Sequence, residues 1–319
     1  MSNSLQLDEE EAMERIAQRM GPANFTRRQE LELRIREERM LRYGQAIIRS
    51  PKLPHRIVKT ILRYTLLEKR ALRNFAQIQL ENHELPIDGL PEAMDGFRVL
   101  HIADLHLDLA PEHLVPAILP HLEGLEYDLC VFTGDYFNRT FESEKVFREL
   151  TKILERIHQP VYGILGNHDA LRFVPKLEKL GIRMLINESV ALDEHGTIWL
   201  AGVDNSHLIG APDLAFALRN TPQEASVILL AHCPSYAEDA AIDARVKAML
   251  SGHTHGGQLC LPGGFPLIHN CDAPRERNSG EWRLKQMVGY TSRGTGSSGV
   301  PARLNCPPEI TIHTLRSAE

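Results

Sequence analysis

The stretch Phe97-Arg98-Val99-Leu100-His101-Ile102-Ala103-Asp104-Leu105-His106 decides the fold. Its first seven residues form a mostly apolar run of strand length, and Asp104 and His106 follow directly. A run of this kind, bounded by turn residues, predicts a buried strand. Five further runs have the same character: Leu129-Cys130-Val131-Phe132, Val161-Tyr162-Gly163-Ile164-Leu165, Ile198-Trp199-Leu200-Ala201, Val227-Ile228-Leu229-Leu230 and Ala248-Met249-Leu250. Helical patterns lie between several of them, as at 144–157 and 234–244. Helices alternating with near-continuous apolar strands predict an α/β fold.

The residues that follow the strands are metal-ligand types. Gly134-Asp135 comes after the second run, Gly166-Asn167-His168-Asp169 after the third, His232 after the fifth, and Gly252-His253-Thr254-His255 after the sixth. In α/β folds ligands gather beyond the carboxyl ends of strands, so these pieces are expected to converge. Residues two apart in extended chain point the same way. Asp104 with His106, and His253 with His255, are therefore expected each to reach one ion or its near neighbourhood. The glycines at 134, 166 and 252 allow tight turns and close backbone approach. Carboxylate, imidazole and amide oxygen together suit manganese, iron, zinc or nickel, not an all-oxygen calcium site. A single strand-end aspartate is more often a helix cap. A lone histidine such as His101, His121, His269 or His313 is more often a core or surface residue, and these four carry no assignment. The argument rests on five pieces in order, each after an apolar run.

The remaining features bound the answer. The chain has 319 residues, 43% hydrophobic and 24% charged, an ordinary globular balance with room for one large core or two modest domains. A formal net charge of −6 excludes a global basic field for nucleic acid. The five cysteines, Cys130, Cys233, Cys260, Cys271 and Cys306, are scattered and form no CxxC. That pattern argues against a disulfide framework or structural zinc and predicts a reducing cytoplasm. The acidic N-terminus lacks the pattern of a secretory leader. No apolar run approaches the roughly 20 residues of a membrane span, so any membrane contact is expected to be peripheral.

The first seventy-odd residues read differently. Residues 27–43 mix both charge signs around Leu31, Ile35 and Leu41, which predicts a salt-bridged helix. Ser50-Pro51 to Pro54 marks a break. Ile57, Val58, Ile61, Leu62, Leu66 and Leu67 then recur at helical spacing among Arg49, Lys52, Arg56, Lys59, Arg63, Lys69, Arg70 and Arg73. This basic amphipathic stretch has two readings: a helix packed on the following domain, or an interfacial helix on an anionic membrane. The expected organisation is a helical extension over 1–74 and one domain over 75–319.

The motifs Asp104-x-His106, Gly134-Asp135, Gly166-Asn167-His168-Asp169, His232 and Gly252-His253-x-His255 together resemble the calcineurin-like metallophosphoesterase superfamily. The resemblance implies a four-layer α/β/β/α sandwich with two divalent ions at the strand ends, manganese first, with iron, zinc, nickel or magnesium as alternatives. By motif, Asp104, His106, Asp135 and His255 would hold one ion. Asp135, Asn167, His232 and His253 would hold the second, with Asp135 bridging. His168 would act at the leaving group and Asp169 would orient its ring. Many members read GDxxD or GDxxE where this chain has Gly134-Asp135-Tyr136-Phe137-Asn138, which makes Asn138 and Arg139 candidates for substrate contact. His253-Thr254-His255-Gly256-Gly257-Gln258, Pro262, the glycine- and serine-rich loop Gly294 to Gly299, Val300-Pro301-Ala302-Arg303 and Pro308-Glu309-Ile310 are similar to the YkuE/YaeI branch. That branch includes the LpxG-type UDP-2,3-diacylglucosamine pyrophosphatases of lipid A synthesis.

The implied reaction is in-line attack on phosphorus by a water activated between two ions about 3.5–4 Å apart. The implied substrate is a phosphodiester or pyrophosphate, lipid-linked if the basic stretch lies on the inner membrane. A soluble diester or monoester of small size is the alternative. A non-catalytic scaffold would be expected to lack ligands or His168, and this chain has all of them. A nuclease is disfavoured by the acidic balance.

Overall fold

The computed structural model describes residues 2–47, 52–138, 144–267 and 270–318. Arg49, the Ser50-Pro51 break, Arg139 and His269 lie outside the described residues. Helices come first: α1 (Ser2–Met20), α2 (Pro22–Ile47), α3 (Lys52–Tyr64) and α4 (Glu68–Phe75). Then follow β1 (Gln79–Ile87), β2 (Arg98–Ile102), α5 (Pro111–Leu122), β3 (Leu129–Phe132), α6 (Glu144–Leu154), β4 (Val161–Gly163), α7 (Val174–Lys179), β5 (Ile182–Met184) and β6 (Glu188–Ala191). The chain continues with β7 (Ile198–Gly202), α8 (Leu214–Ala217), β8 (Ser226–Leu230), α9 (Ala237–Ala240), β9 (Val246–Ser251), β10 (Gly280–Leu284), β11 (Met287–Thr291) and β12 (Glu309–Ser317).

Among the described residues the strands form two six-stranded sheets, ordered β1-β12-β2-β3-β4-β5 and β10-β11-β9-β8-β7-β6. Strands β2, β3, β4 and β5 run parallel, as do β7, β8, β9 and β11. Side chains alternate between the two faces of each strand. Val99, Val131, Leu200, Ile228, Leu230, Ala248 and Leu250 thus meet in the core between the sheets. Leu100, Ile102, Cys130 and Phe132 point the other way, under α1, α5, α6 and α7. Ala201, Val227, Leu229 and Met249 face α8 and α9. This double alternation is why the runs are apolar throughout, and it produces the α/β/β/α layering.

The N-terminal helices are held by specific contacts. Ile16 and Met20 of α1 enter the core of the first sheet. Arg19 pairs with Glu178 at 2.8 Å and with Glu188 at 2.9 Å. Arg28 of α2 is fully buried; it pairs with Asp204 at 3.1 Å and with Glu32 at 2.9 Å, and it donates to the carbonyls of Ile209 and Asp169. A buried charge of this kind is tolerated only when paired and hydrogen-bonded.

The basic stretch resolves into α3, a sharp corner and α4. Leu66 N–H donates to Arg63 O and Leu67 N–H to Leu62 O, the bond pair of a Schellman motif. Leu66 takes the left-handed position at φ 62°, where glycine is usual. Leu62, Val58, Leu67 and Ala71 pack against Leu259, Val300, Ala302 and Leu304. Ile61, Tyr64 and Leu66 remain in solvent, at 55%, 85% and 88% exposure.

Candidate metal centre

The carboxyl ends of β2, β3, β4, β8 and β9 face a common edge of the two sheets, and the expected residues converge there. Asp104, His106 and His255 bring ligand atoms within 4.8 Å of one another, and so do Asp135, His232 and His253. His106 Nε2 and His232 Nε2 each lie 3.5 Å from Asp135 Oδ2. His106 Nε2 is 3.1 Å from His255 Nε2, and His232 Nε2 is 3.1 Å from Asn167 Oδ1. Asp135 therefore stands between the two groups.

The turns that make this convergence are unusual. Asp104, His106, Asp135, His253 and His255 all have positive φ, between 45° and 71°. That conformation costs a residue with a Cβ about 1–3 kcal/mol, and such strain collects at functional sites. The expectation that Asp104 and His106 would lie in extended chain is corrected: they meet through successive left-handed turns. The same geometry separates His253 from His255 into different groups, where spacing alone sends them to one ion or its near neighbourhood. Close approach is enforced at Gly166 and Gly252, where an added Cβ would collide with the carboxylates of Asp135 and Asp104.

The hydrogen bonds decide which nitrogens face inward. A carbonyl can only accept, so His106 Nδ1 donates to Phe137 O at 2.8 Å and His232 Nδ1 donates to Thr133 O at 2.7 Å. In the neutral rings Nε2 of each is then a lone pair aimed at carboxylate and amide oxygens. His253 Nε2 donates to Asn270 O at 3.1 Å, which leaves Nδ1. Acceptors facing acceptors in a buried space call for cations, and the donor set fits divalent ions with outer hydrogen bonds already in place.

The electrostatics agree. Burial lifts the Asp104 carboxyl to about 7, reinforced by Asp135. Burial also opposes ionisation of Asp135, yet the charges of His232, His168 and His106 outweigh it and hold that carboxyl well below its usual range. His232 is pushed up to about 9, because attraction to Asp135 outweighs burial. Burial takes His106 and His253 down to about 3 and His255 well below its usual value.

The other expected residues fall as follows. The His168 ring lies edge-on to His106, with centroids 5.1 Å apart, and the backbone N–H of His168 donates to Asp135 Oδ1 at 2.9 Å. Asp169 does not orient that ring. Its carboxylate is turned inward to accept from the backbone N–H of Asp135, Gly166 and Phe137 at 2.7, 2.8 and 3.3 Å. It ties the β3 and β4 turns together. Asn138 Oδ1 accepts from Gly299 N–H at 3.0 Å, joining the Asp135 loop to the glycine- and serine-rich loop.

Two features escaped the sequence reading. Arg303, fully buried, donates to the carbonyls of His255, Arg293 and Gly294 and lies 3.2 Å from His255 Nδ1. His313 and His101 form a buried chain, His83 Nδ1 to His313 Nδ1 and His313 Nε2 to His101 Nδ1, each at 3.2 Å, ending on Thr133 Oγ1 at 2.9 Å from His101 Nε2. An arginine in a PxR tripeptide and histidines inside strands carry no local signal for such roles.

Residues 97–257 match the family described as Calcineurin-like phosphoesterase. Over 255 residues the chain is 30% identical to metallophosphoesterase YkuE of Bacillus subtilis, covering 75% of this chain and 86% of that protein. It is 29% identical over 229 residues to phosphodiesterase YaeI of Escherichia coli, covering 69% and 82%. It is 30% identical over 256 residues to a transmembrane protein with metallophosphoesterase domain of Danio rerio; there it covers 74% of its own length but spans only 56% of the fish protein. The chain belongs to the calcineurin-like phosphoesterase family. It is a metal-dependent phosphoester hydrolase.

Proposed function

We propose that the chain hydrolyses a phosphodiester or pyrophosphate bond in a lipid-linked substrate, with UDP-2,3-diacylglucosamine as the first candidate. The observation that carries this reading is the corner between α3 and α4. Tyr64 and Leu66 stand in solvent there, flanked by exposed Lys59, Arg63, Lys69, Arg70 and Arg73. Basic residues draw a surface toward anionic lipid, and exposed apolar side chains enter the headgroup boundary. The inner face of this corner packs on Val300 to Leu304, next to the loop that holds Asn138. An acylated substrate would so reach the metal centre from the bilayer. No described helix is long and apolar enough to cross a membrane. The contact in this reading is peripheral, on the cytoplasmic side of the inner membrane.

In this reading 75–319 is the catalytic domain and 1–74 a helical extension that both braces it and seats it on lipid. Asp104, His106, Asp135 and His255 hold one ion; Asp135, Asn167, His232 and His253 hold the other; manganese is the proposed metal. When bound, two divalent ions neutralise phosphoryl charge and acidify the attacking water. His168 hands a proton to the leaving oxygen. Asp169 acts through the backbone of Gly166 and Asp135, and Asn138 and Arg139 are the proposed substrate contacts.

The test is hydrolysis of UDP-2,3-diacylglucosamine with Mn²⁺, with and without chelator, beside bis-p-nitrophenyl phosphate. Chelator-sensitive release of UMP is expected. Cleavage of the generic diester alone would remove the lipid substrate and leave the soluble-diester reading.

A further inference from the structure

Four of the five cysteines, dispersed in sequence, gather beside the metal centre. Cys260 and Cys306 both donate to Gly256 O, at 3.3 and 3.5 Å. Cys233 and Cys271, 38 residues apart, place their sulfurs 3.1 Å from each other. Both are buried and both are thiols. The pair sits directly behind the second group of ligands. Cys233 follows His232, and Cys271 follows Asn270, whose carbonyl holds His253 Nε2. Cys233 also shares a tight group with His207 and His253.

We propose that Cys233 and Cys271 are an oxidisable pair whose disulfide lowers occupancy of the adjacent metal position. A peroxide is the oxidant by class. With hydrogen peroxide one thiol sulfur is oxidised to a sulfenic acid, releasing one water. The second thiol then displaces hydroxide from that sulfur and a second water leaves. The sum is two thiols and one peroxide giving one disulfide and two waters. No further reductant or oxidant is needed, and a dithiol reductant reverses the step.

The consequence follows from geometry. A disulfide needs sulfurs about 2.05 Å apart. Closing from 3.1 Å brings the two sulfurs about 1 Å nearer, which pulls the Asn270–Cys271 segment toward the chain that follows β8. His253 then loses its fixed partner at Asn270 O, and His232 is displaced from the neighbouring residue. Loss of such outer hydrogen bonds lowers metal affinity by about 10–100-fold. This second half rests on the assignment of His232 and His253 as ligands; the sulfur chemistry does not.

The experiment compares full-length protein, reduced or treated with hydrogen peroxide, by peptide mapping and by metal content after dialysis against a low Mn²⁺ concentration. The expected result is a Cys233–Cys271 linked peptide, with bound metal falling from two ions toward one and returning on reduction. Cys271→Ser should keep two ions under both treatments, and Cys233→Ser provides the same check if the first variant folds poorly. Absence of the linked peptide, or its presence with unchanged metal content, would overturn the proposal. A reduced protein holding no metal would instead defeat the metal assignment, while the peptide map judges the thiol pair separately.

Discussion

At the residue scale the site is a set of bases held in strained turns around one aspartate. Asp104, Asp135, His106, His253 and His255 keep left-handed backbones because surrounding hydrogen bonds over-determine them. Sequence made the identities of these residues legible, since each follows an apolar strand. It did not reveal that the chain turns left-handed at each one, so the extended-chain argument grouped His253 with His255 while the structure parts them. Nor could it show that Asp169 turns away from His168, because four consecutive residues in a turn give no direction. His168 touches the edge of the site without entering either ligand group. His168→Ala is expected to keep both metals by elemental analysis and to lose about 10²–10⁴-fold in turnover. Protonation should compete with loading. Without metal, Asp104 and Asp169 rise to about 7, chiefly by burial, and His232 rises to about 9. These three folded values exceed their ordinary ones, so the stability these groups contribute to the metal-free fold is lost as pH rises through those values; His106, His253 and His255, held below their ordinary values by burial, act in the opposite sense only up to about pH 7. Ligation by the proposed set would expel protons from Asp104 and His232. Chelated protein should therefore melt at lower temperature at pH 9 than at pH 7.5, above the range in which unfolded histidines titrate. Manganese should raise the melting temperature most at the higher pH, and calorimetry in paired buffers should detect proton release at pH 7.

At the scale of elements, the strands named from sequence are those whose runs are almost wholly apolar, and β3 matches its expected span residue for residue. The strands not named were β1, β5, β6, β10, β11 and β12. Gln79-Leu80-Glu81-Asn82-His83 of β1 is largely polar because it runs along a sheet edge, and β5 is only three residues long. Residues 234–244 read as one helix but form two short turns. The helices α1 and α2 were legible as helices, but their anchoring was not. A salt-bridged surface pattern hides Arg28, which is buried completely. Arg28 joins α2 to Asp204 and to the carbonyl of Asp169, so the extension braces the turn that carries Asn167 and His168. Arg28→Ala leaves Asp204 buried without its partner and should cost about 3–5 kcal/mol of stability in urea denaturation. An effect below about 1 kcal/mol, the scale of a surface pair, would show that this contact is not a brace.

At the scale of the molecule, two sheets place five strand ends at one edge, and a basic apolar corner lies beside it in a protein of net charge −6. That local contrast is the physical basis on which peripheral attachment is proposed. Each basic residue near an anionic surface contributes about 1 kcal/mol. Arg63→Ser, Lys69→Ser and Arg73→Ser together should weaken flotation with anionic vesicles on the order of 100-fold. Binding to neutral vesicles should be weak throughout, and equal flotation of wild type and variant would remove the corner from the account. Substrate identity was the least legible property, because apolar residues that would hold acyl chains look like core residues in a sequence. The central claim is that Asp135 is shared by two ions. Metal content of wild type and Asp135→Asn after dialysis against Mn²⁺ tests it most directly. The account predicts two ions per chain in the wild type and loss from both positions in the variant. Two tightly held ions in the variant, or one position lost while the other keeps full affinity, would contradict it.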